Sequence, residues 1–140
     1  MPIAKDFASA FNRQDVETLV SLFTDTATYD DLFYGRHAGR ATLREMFARM
    51  FREGRDYAWS MDVEVEDGRH AAAEWTFGYT VTDAVPRSAG RKIRFGGMSL
   101  FELEGGKIRA YREYANTGAA LLQLGFAPEA LAKVLARSRA

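Results

Sequence analysis

The chain contains no cysteine, which excludes disulfides, thiolate metal ligands and a cysteine nucleophile. An excess of charge of either sign is also missing, since 19 basic and 19 acidic side chains cancel. No electrostatic footprint for nucleic acid or an anionic membrane follows from such a balance, and neither partner is expected. Histidine is scarce: His37 lies in a loop between glycines and His70 follows a hairpin turn. Both read as solvated, and without an acid cluster at ligand spacing no metal site is expected. No apolar run approaches a membrane span, and Met1–Asp6 lacks the hydrophobic stretch of a signal peptide, so a soluble cytoplasmic protein is the expectation. No serine sits in a glycine-flanked elbow, and the glycine pairs at 96–97 and 105–106 fall in a strand and a turn, not ahead of a helix. Nucleophilic-serine chemistry and a phosphate loop therefore lack support, and no cofactor is expected.

What the chain does have is apolar bulk. Of 140 residues 47% are hydrophobic, with 10 Phe, 6 Tyr and 2 Trp. This excludes disorder and is enough for one domain, residues 1–140, with a single core. So many aromatics suit an apolar cavity, plain packing or a subunit interface.

Ile3, Phe7, Ala10 and Phe11 recur at helical steps, and Asp15 is a good N-cap for a second helix carrying Val16, Leu19, Val20 and Phe23. A short strand, Ala27-Thr28-Tyr29-Asp30-Asp31, ends in two acids; 32–39 reads as a loop. A third helix runs from Arg40 or Ala41 to about Arg52 with Leu43, Met46, Phe47 and Met50 on its apolar stripe. Beyond Gly54 the period becomes two. Tyr57, Trp59, Met61, Val63 and Val65 alternate with polar or small residues, Asp67-Gly68 signals a hairpin, and Trp75, Phe77 and Tyr79 share one face of the returning strand. The Gly96-Gly97 pair in the next strand, Ile93 to Leu103, suggests a bulge or bend. Glu104-Gly105-Gly106 turns into the last strand, and Pro128 opens a final amphipathic helix. The order predicts an α+β domain: a cone-shaped, curved, largely antiparallel (mixed) sheet with three N-terminal helices on its concave face and a C-terminal helix. The inside of such a cone is a natural small-molecule pocket.

Two acids bear on chemistry. Strand parity puts Arg109, Tyr111 and Glu113 on one face and Tyr29 and Asp31 on one face of the first strand. If both faces look inward, Asp31 and Glu113 meet among Trp59, Trp75, Phe77 and Tyr79. Burial raises a carboxyl pKa and a second carboxylate raises one member further, so the pair would share a proton, as general acid/base work requires. The plainer alternatives are that Asp31 caps a loop or pairs with Arg36 or Arg40, and that Glu113 pairs with Arg94 or Arg109.

Several segments together carry a family likeness over nearly the whole chain: Ala10-Phe11-Asn12 with Asp15, Ala27–Asp31, Gly39-Arg40-Ala41, Glu104–Ile108, and Arg112-Glu113-Tyr114 followed by Leu121–Gly125. In this order they resemble the nuclear-transport-factor-2-like superfamily, SnoaL-like group. The resemblance implies the cone fold, a homodimer packed through a sheet face, and a hydrophobic small-molecule substrate. From SnoaL-like polyketide cyclases it implies Glu113 as acid/base, with Ser99 where that family has a histidine. From limonene-epoxide-hydrolase-like enzymes it again implies Glu113, with Tyr29 and Asp31 at the water-holding positions, but Trp75 and Phe77 replace the family's Arg and second Asp. Ketosteroid isomerases would place a base at Asp31, yet their oxyanion donors are replaced by Phe7 and Ser99, which disfavours that reaction. Glu113, Asp31 and Tyr29 are thus the expected catalytic residues. Trp59, Trp75, Phe77, Tyr79, Ser99 and Tyr111 are expected around the substrate. The rival expectation is a non-catalytic binding or oligomerisation module, because this fold hosts both.

Overall fold

The computed structural model describes residues 2–137. Two helices, α1 (Ile3–Asn12) and α2 (Val16–Ser21), form the expected hairpin. The Asp15 carboxylate caps α2 by accepting from the Thr18 amide at 3.1 Å and the Thr18 hydroxyl at 2.6 Å. Strand β1 (Phe23–Asp31) follows, then a tight connection to β2 (Gly35–Ala38); the segment expected to be all loop thus carries a short antiparallel strand. Helix α3 (Arg40–Glu53) buries Leu43, Met46, Phe47 and Met50. The long strands β3 (Gly54–Glu66), β4 (His70–Val81), β5 (Lys92–Glu104) and β6 (Lys107–Ala115) complete the sheet. Two helices follow it, α4 (Thr117–Gln123) and α5 (Pro128–Ala136). None of the described helices is long and apolar enough to cross a membrane.

The six strands run in the order β2-β1-β6-β5-β4-β3. All neighbours are antiparallel except β1 and β6, which are parallel with Tyr29 opposite Tyr111. The sheet is therefore mixed, and the parallel pair lays the two acid-bearing strand ends side by side.

Two irregularities change which side chains face inward. The β5–β6 register shifts between Glu102 and Leu103. Ile108 is buried and so, three residues on, are Tyr111 and Glu113. Arg109, expected on their face, instead bonds Glu102 outside at 2.6 Å. A second shift lies between Met61 and Val63 in β3. It leaves Val63 56% and Val65 64% exposed although alternation predicts them on the half-buried face.

No register shift occurs at Gly96-Gly97, so of the bulge or bend expected there the pair carries no bulge. The glycine at 97 answers a different need. A Cβ there would meet the Trp75 ring at 2.7 Å and the Ala115 Cβ at 2.6 Å, so its absence lets the indole lie across β5.

The core is aromatic. Phe7 is fully buried and touches six rings: Phe11, Phe23, Tyr29, Trp59, Phe101 and Tyr111. It ties α1 to β1, β3, β5 and β6, which fixes the walls of the cavity described next.

Candidate functional site

Glu113 is 6% exposed, near the end of β6. Its Oε1 accepts from the Tyr111 hydroxyl at 2.5 Å and its Oε2 from the Leu32 amide at 3.0 Å. Behind Tyr111 the bonding continues. The Ser99 and Tyr111 hydroxyls are 2.8 Å apart, and the Trp75 indole N–H donates to Ser99 Oγ at 2.8 Å. Indole nitrogen is a donor only, so with Glu113 charged the chain has one consistent direction: Trp75 to Ser99 to Tyr111 to Glu113. Ser99 and Tyr111 thus support the carboxylate from behind and do not line the cavity.

Asp31 stands beside Glu113, within hydrogen-bonding reach of it. It also does what the plainer reading assigned to it, because its Oδ2 caps the following loop, accepting from the Phe33 amide at 2.8 Å and the Tyr34 amide at 2.9 Å. The arginines take other partners: Arg36 pairs with Asp30, Arg40 with Asp25, and Arg109 and Arg112 with Glu102. Among the described residues no arginine pairs with Glu113.

Desolvation pushes the Glu113 carboxyl well above its ordinary value of 4.5, and the charge of Asp31 adds to this; the bonds from Tyr111 and Leu32 oppose it. Desolvation raises Asp31 as well, against the lowering effect of its two loop amides. The pair therefore keeps a proton at pH values where a free carboxyl has lost it. Burial first, and Glu113 second, raise the Tyr29 and Tyr111 hydroxyls well above 10.0, so both stay protonated donors.

The carboxylates look into a cavity of about 40 Å³, room for a few waters or one small ligand group. Of the residues expected around the substrate, Trp59, Trp75, Phe77 and Tyr79 line it, as does Tyr29, expected among the catalytic residues. Met50, from the apolar stripe of α3, lines it as well, and the sequence reading missed Phe11, Phe33, Tyr34, Tyr57 and Phe95, which line it too. Phe33 and Tyr34 come from the β1–β2 connection. The Tyr34 hydroxyl bonds Glu53 at 2.5 Å, and Arg49, paired with that same Glu53, lies over the Tyr34 ring at 5.0 Å. On the far side of this connection a cleft of about 560 Å³ is lined by Asp31 and Glu113 again, with Thr117, Val134 and Arg137. Leu32, Phe33 and Tyr34 thus partition the inner cavity from the cleft while their amides hold both acids.

Asn12 also escaped the sequence reading. Its carboxamide clamps the backbone of Trp59 on the free edge of β3, accepting from the amide at 2.8 Å and donating to the carbonyl at 3.1 Å. Its place in Ala10-Phe11-Asn12 was the available signal. His37 and His70 do not line the cavity, and no group of metal-ligating side chains occurs among the described residues.

Comparison with known proteins agrees with this architecture. The sequence profile of the SnoaL-like domain matches residues 4–111. No curated protein gives a match. Among solved structures, a protein of ketosteroid isomerase-like fold from Catenulispora acidiphila DSM 44928, in complex with trimethylamine, superposes with a TM-score of 0.78 at 20% identity, over 91% of this chain and 95% of that one. An LEH-like epoxide hydrolase of M. tuberculosis gives 0.72 at 18% identity, over 97% and 94%. A protein assigned as a polyketide cyclase from Pseudomonas putida KT2440 gives 0.72 at 22%, over 88% and 98%. At these identities the likeness is one of fold.

Proposed function

The chain belongs to the SnoaL-like domain family, and on that premise we propose that it is an acid/base enzyme acting on a small hydrophobic carbonyl or epoxide compound. One observation carries the reading: a carboxylate pair, buried Glu113 beside half-buried Asp31, facing an aromatic cavity without a basic side chain in its wall. Polar groups of this kind are costly to bury, and among neighbours of the same fold are an LEH-like epoxide hydrolase and a protein assigned as a polyketide cyclase. In this reading Glu113 is the principal acid/base. Asp31 shares its proton, and Tyr29 orients the reacting oxygen or a water. Trp59, Trp75, Phe77 and Tyr79 exclude solvent, which strengthens each electrostatic contact.

The small cavity favours a second reading, a non-catalytic binding module whose own side chains fill most of the space. Screening a panel of small epoxides and ketones distinguishes the two. Turnover of at least one compound, saturable and carried by the purified chain, is expected; binding without turnover across the panel supports the module instead.

We further propose a homodimer through the outer sheet face. Val63, Glu74, Met98 and Tyr114 lie in register across four strands, with Val65 in the next row. Val63, Val65, Met98 and Tyr114 are each about half exposed or more, at 56%, 64%, 49% and 51%. An exposed, mostly apolar row of this kind, with Glu74 as its polar member, suits an interface. Sedimentation equilibrium is expected to give twice the chain mass; a value near 15.7 kDa would refute the assembly.

A further inference from the structure

The wall of the inner cavity is one-sided in its chemistry. Ten aromatic residues and Met50 line it together with Asp31 and Glu113, and no lysine, arginine or histidine does. Its donors are largely spent. The Trp75 N–H goes to Ser99 at 2.8 Å, the Tyr34 hydroxyl to Glu53 at 2.5 Å and the Tyr57 hydroxyl to the Met50 carbonyl at 2.7 Å. The Trp59 N–H and the Tyr29 hydroxyl are buried and do not open into the space. Among the described residues no lysine or arginine pairs with either acid. Around them the ring planes turn through nearly a right angle, 88° between Phe11 and Trp59, 81° between Trp59 and Trp75, and 83° between Phe33 and Phe95. What such a box offers an occupant is aromatic surface and negative charge.

A cation that needs no hydrogen bond matches that offer, because aromatic rings attract positive charge through their faces. We propose that the inner cavity binds a compact alkylammonium ion, seated among the rings with its charge beside Asp31 and Glu113. Alkyl groups suit the aromatic wall and weaken the hold of the charge on water, so its desolvation costs less than that of a bare ammonium. The size agrees. One water needs about 10–15 Å³ of such space, so the cavity of about 40 Å³ takes an ion of about four or five bonded heavy atoms. Cation and proton compete for the same carboxylates: as the ion enters, a carboxyl O–H bond breaks, the proton leaves to solvent and the carboxylate faces the ammonium. The other titratable groups around the pair are tyrosines, Tyr29 on β1, Tyr111 on β6, Tyr57 on β3, Tyr79 on β4 and Tyr34 in the connection. All are raised above 10.0 by burial and stay neutral. Farther out, Glu53 of α3 is held by Arg49 and Tyr34, Asp30 is paired with Arg36, His37 of β2 acts on Asp31 from outside the cavity, and Arg137 lines the outer cleft. The inference goes beyond the acid/base reading and needs no turnover.

The test titrates the intact chain with tetramethylammonium chloride and with tert-butyl alcohol, a neutral molecule of similar shape and the same number of heavy atoms. Calorimetry at pH 8 is expected to show tetramethylammonium bound about tenfold more tightly or better, the effect of a desolvated cation among rings and acids. Its affinity is expected to fall about tenfold or more from pH 8 to pH 5, as protons hold the carboxylates. Tert-butyl alcohol is expected to stay within about twofold, since no charge is involved. The double variant Asp31→Asn/Glu113→Gln keeps the shape of the site and removes its charge. It is expected to lose the preference, with tert-butyl alcohol again within about twofold. Phe77→Leu, which leaves both acids in place, is expected to weaken tetramethylammonium several-fold more than tert-butyl alcohol. Equal affinity for the two probes, or no binding of either, would overturn the proposal. So would a preference that the double variant retains, which places the ion elsewhere on the molecule. Turnover of a ketone or epoxide without an ammonium preference sinks this inference alone, and an ammonium preference without turnover across that panel sinks the enzymatic reading alone.

Discussion

Glu113→Gln is expected to reduce turnover of any responsive ketone or epoxide by about 10²- to 10⁴-fold, the range for a positioned general acid or base. The substitution suits the test because the site can accept it without collapse. With the amide oxygen toward Leu32, the bond to that N–H is retained. The amide nitrogen then faces Tyr111, whose hydroxyl can accept from it and donate to Ser99, reversing the last two steps of the chain while Trp75 still donates to Ser99. Every polar atom keeps a partner, yet the titrating group is gone. Rates within about threefold of wild type, well inside the expected loss, would remove Glu113 from the reaction.

The same variant has a signature in stability that does not depend on finding a substrate. Glu113 and Asp31 both bind a proton more tightly in the folded protein than their ordinary values of 4.5 and 3.8. Between those values and the folded ones, the native state holds more protons than the unfolded chain, so stability falls as pH rises. The contribution is fully present below the ordinary carboxylate range and is lost as pH climbs through the raised values. Glu113→Gln removes the larger of the two shifts. Its denaturation midpoint is expected to decline less steeply than that of the wild type from about pH 4 toward neutrality. Parallel slopes would show that the carboxyl is not perturbed by burial.

Phe7→Ala is expected to destabilise the fold by about 3–5 kcal/mol, the usual cost of deleting a buried phenyl ring. Total stabilities of single domains are about 5–15 kcal/mol, so the variant is left near its threshold. The ring is fully buried and contacts Trp59 at 5.1 Å and Tyr111 at 5.3 Å. Its loss therefore loosens both the Trp59 wall and the group that holds Glu113. Urea denaturation followed by tryptophan fluorescence measures the first effect. Where a folded fraction persists, a broadened Trp59 indole signal reports the second. A loss below about 1 kcal/mol, far under the expected cost, would mean that the neighbouring rings close over the gap.

Part of the site was legible in the sequence because its signals are local. Asp15 before an apolar helical stripe, Asp67-Gly68 between two alternating runs, and the aromatic positions Trp59, Trp75, Phe77 and Tyr79 each follow from spacing over a few residues. So does the presence of an acid on the last strand. What spacing misjudged were the places where the ladder breaks. One shifted residue near Arg109 turned that arginine outward, and another near Asp62 turned Val63 and Val65 to the surface. Register shifts of this kind are settled by which packing the whole sheet prefers, and no local pattern announces them.

By itself, then, the sequence determined an α+β domain with an aromatic interior and two acids at strand ends, because periodicity and turn chemistry act over short distances. Only the tertiary structure decided what those acids meet. The parallel pairing of β1 with β6 sets Tyr29 opposite Tyr111 and carries Asp31 to Glu113. Backbone donors then reach the pair from a connection that lies 81 residues from Glu113 in the chain. The supporting relay through Ser99 and Trp75 arises the same way. Hydrogen bonds and desolvation depend on distances across the folded core, and a linear pattern does not carry those distances.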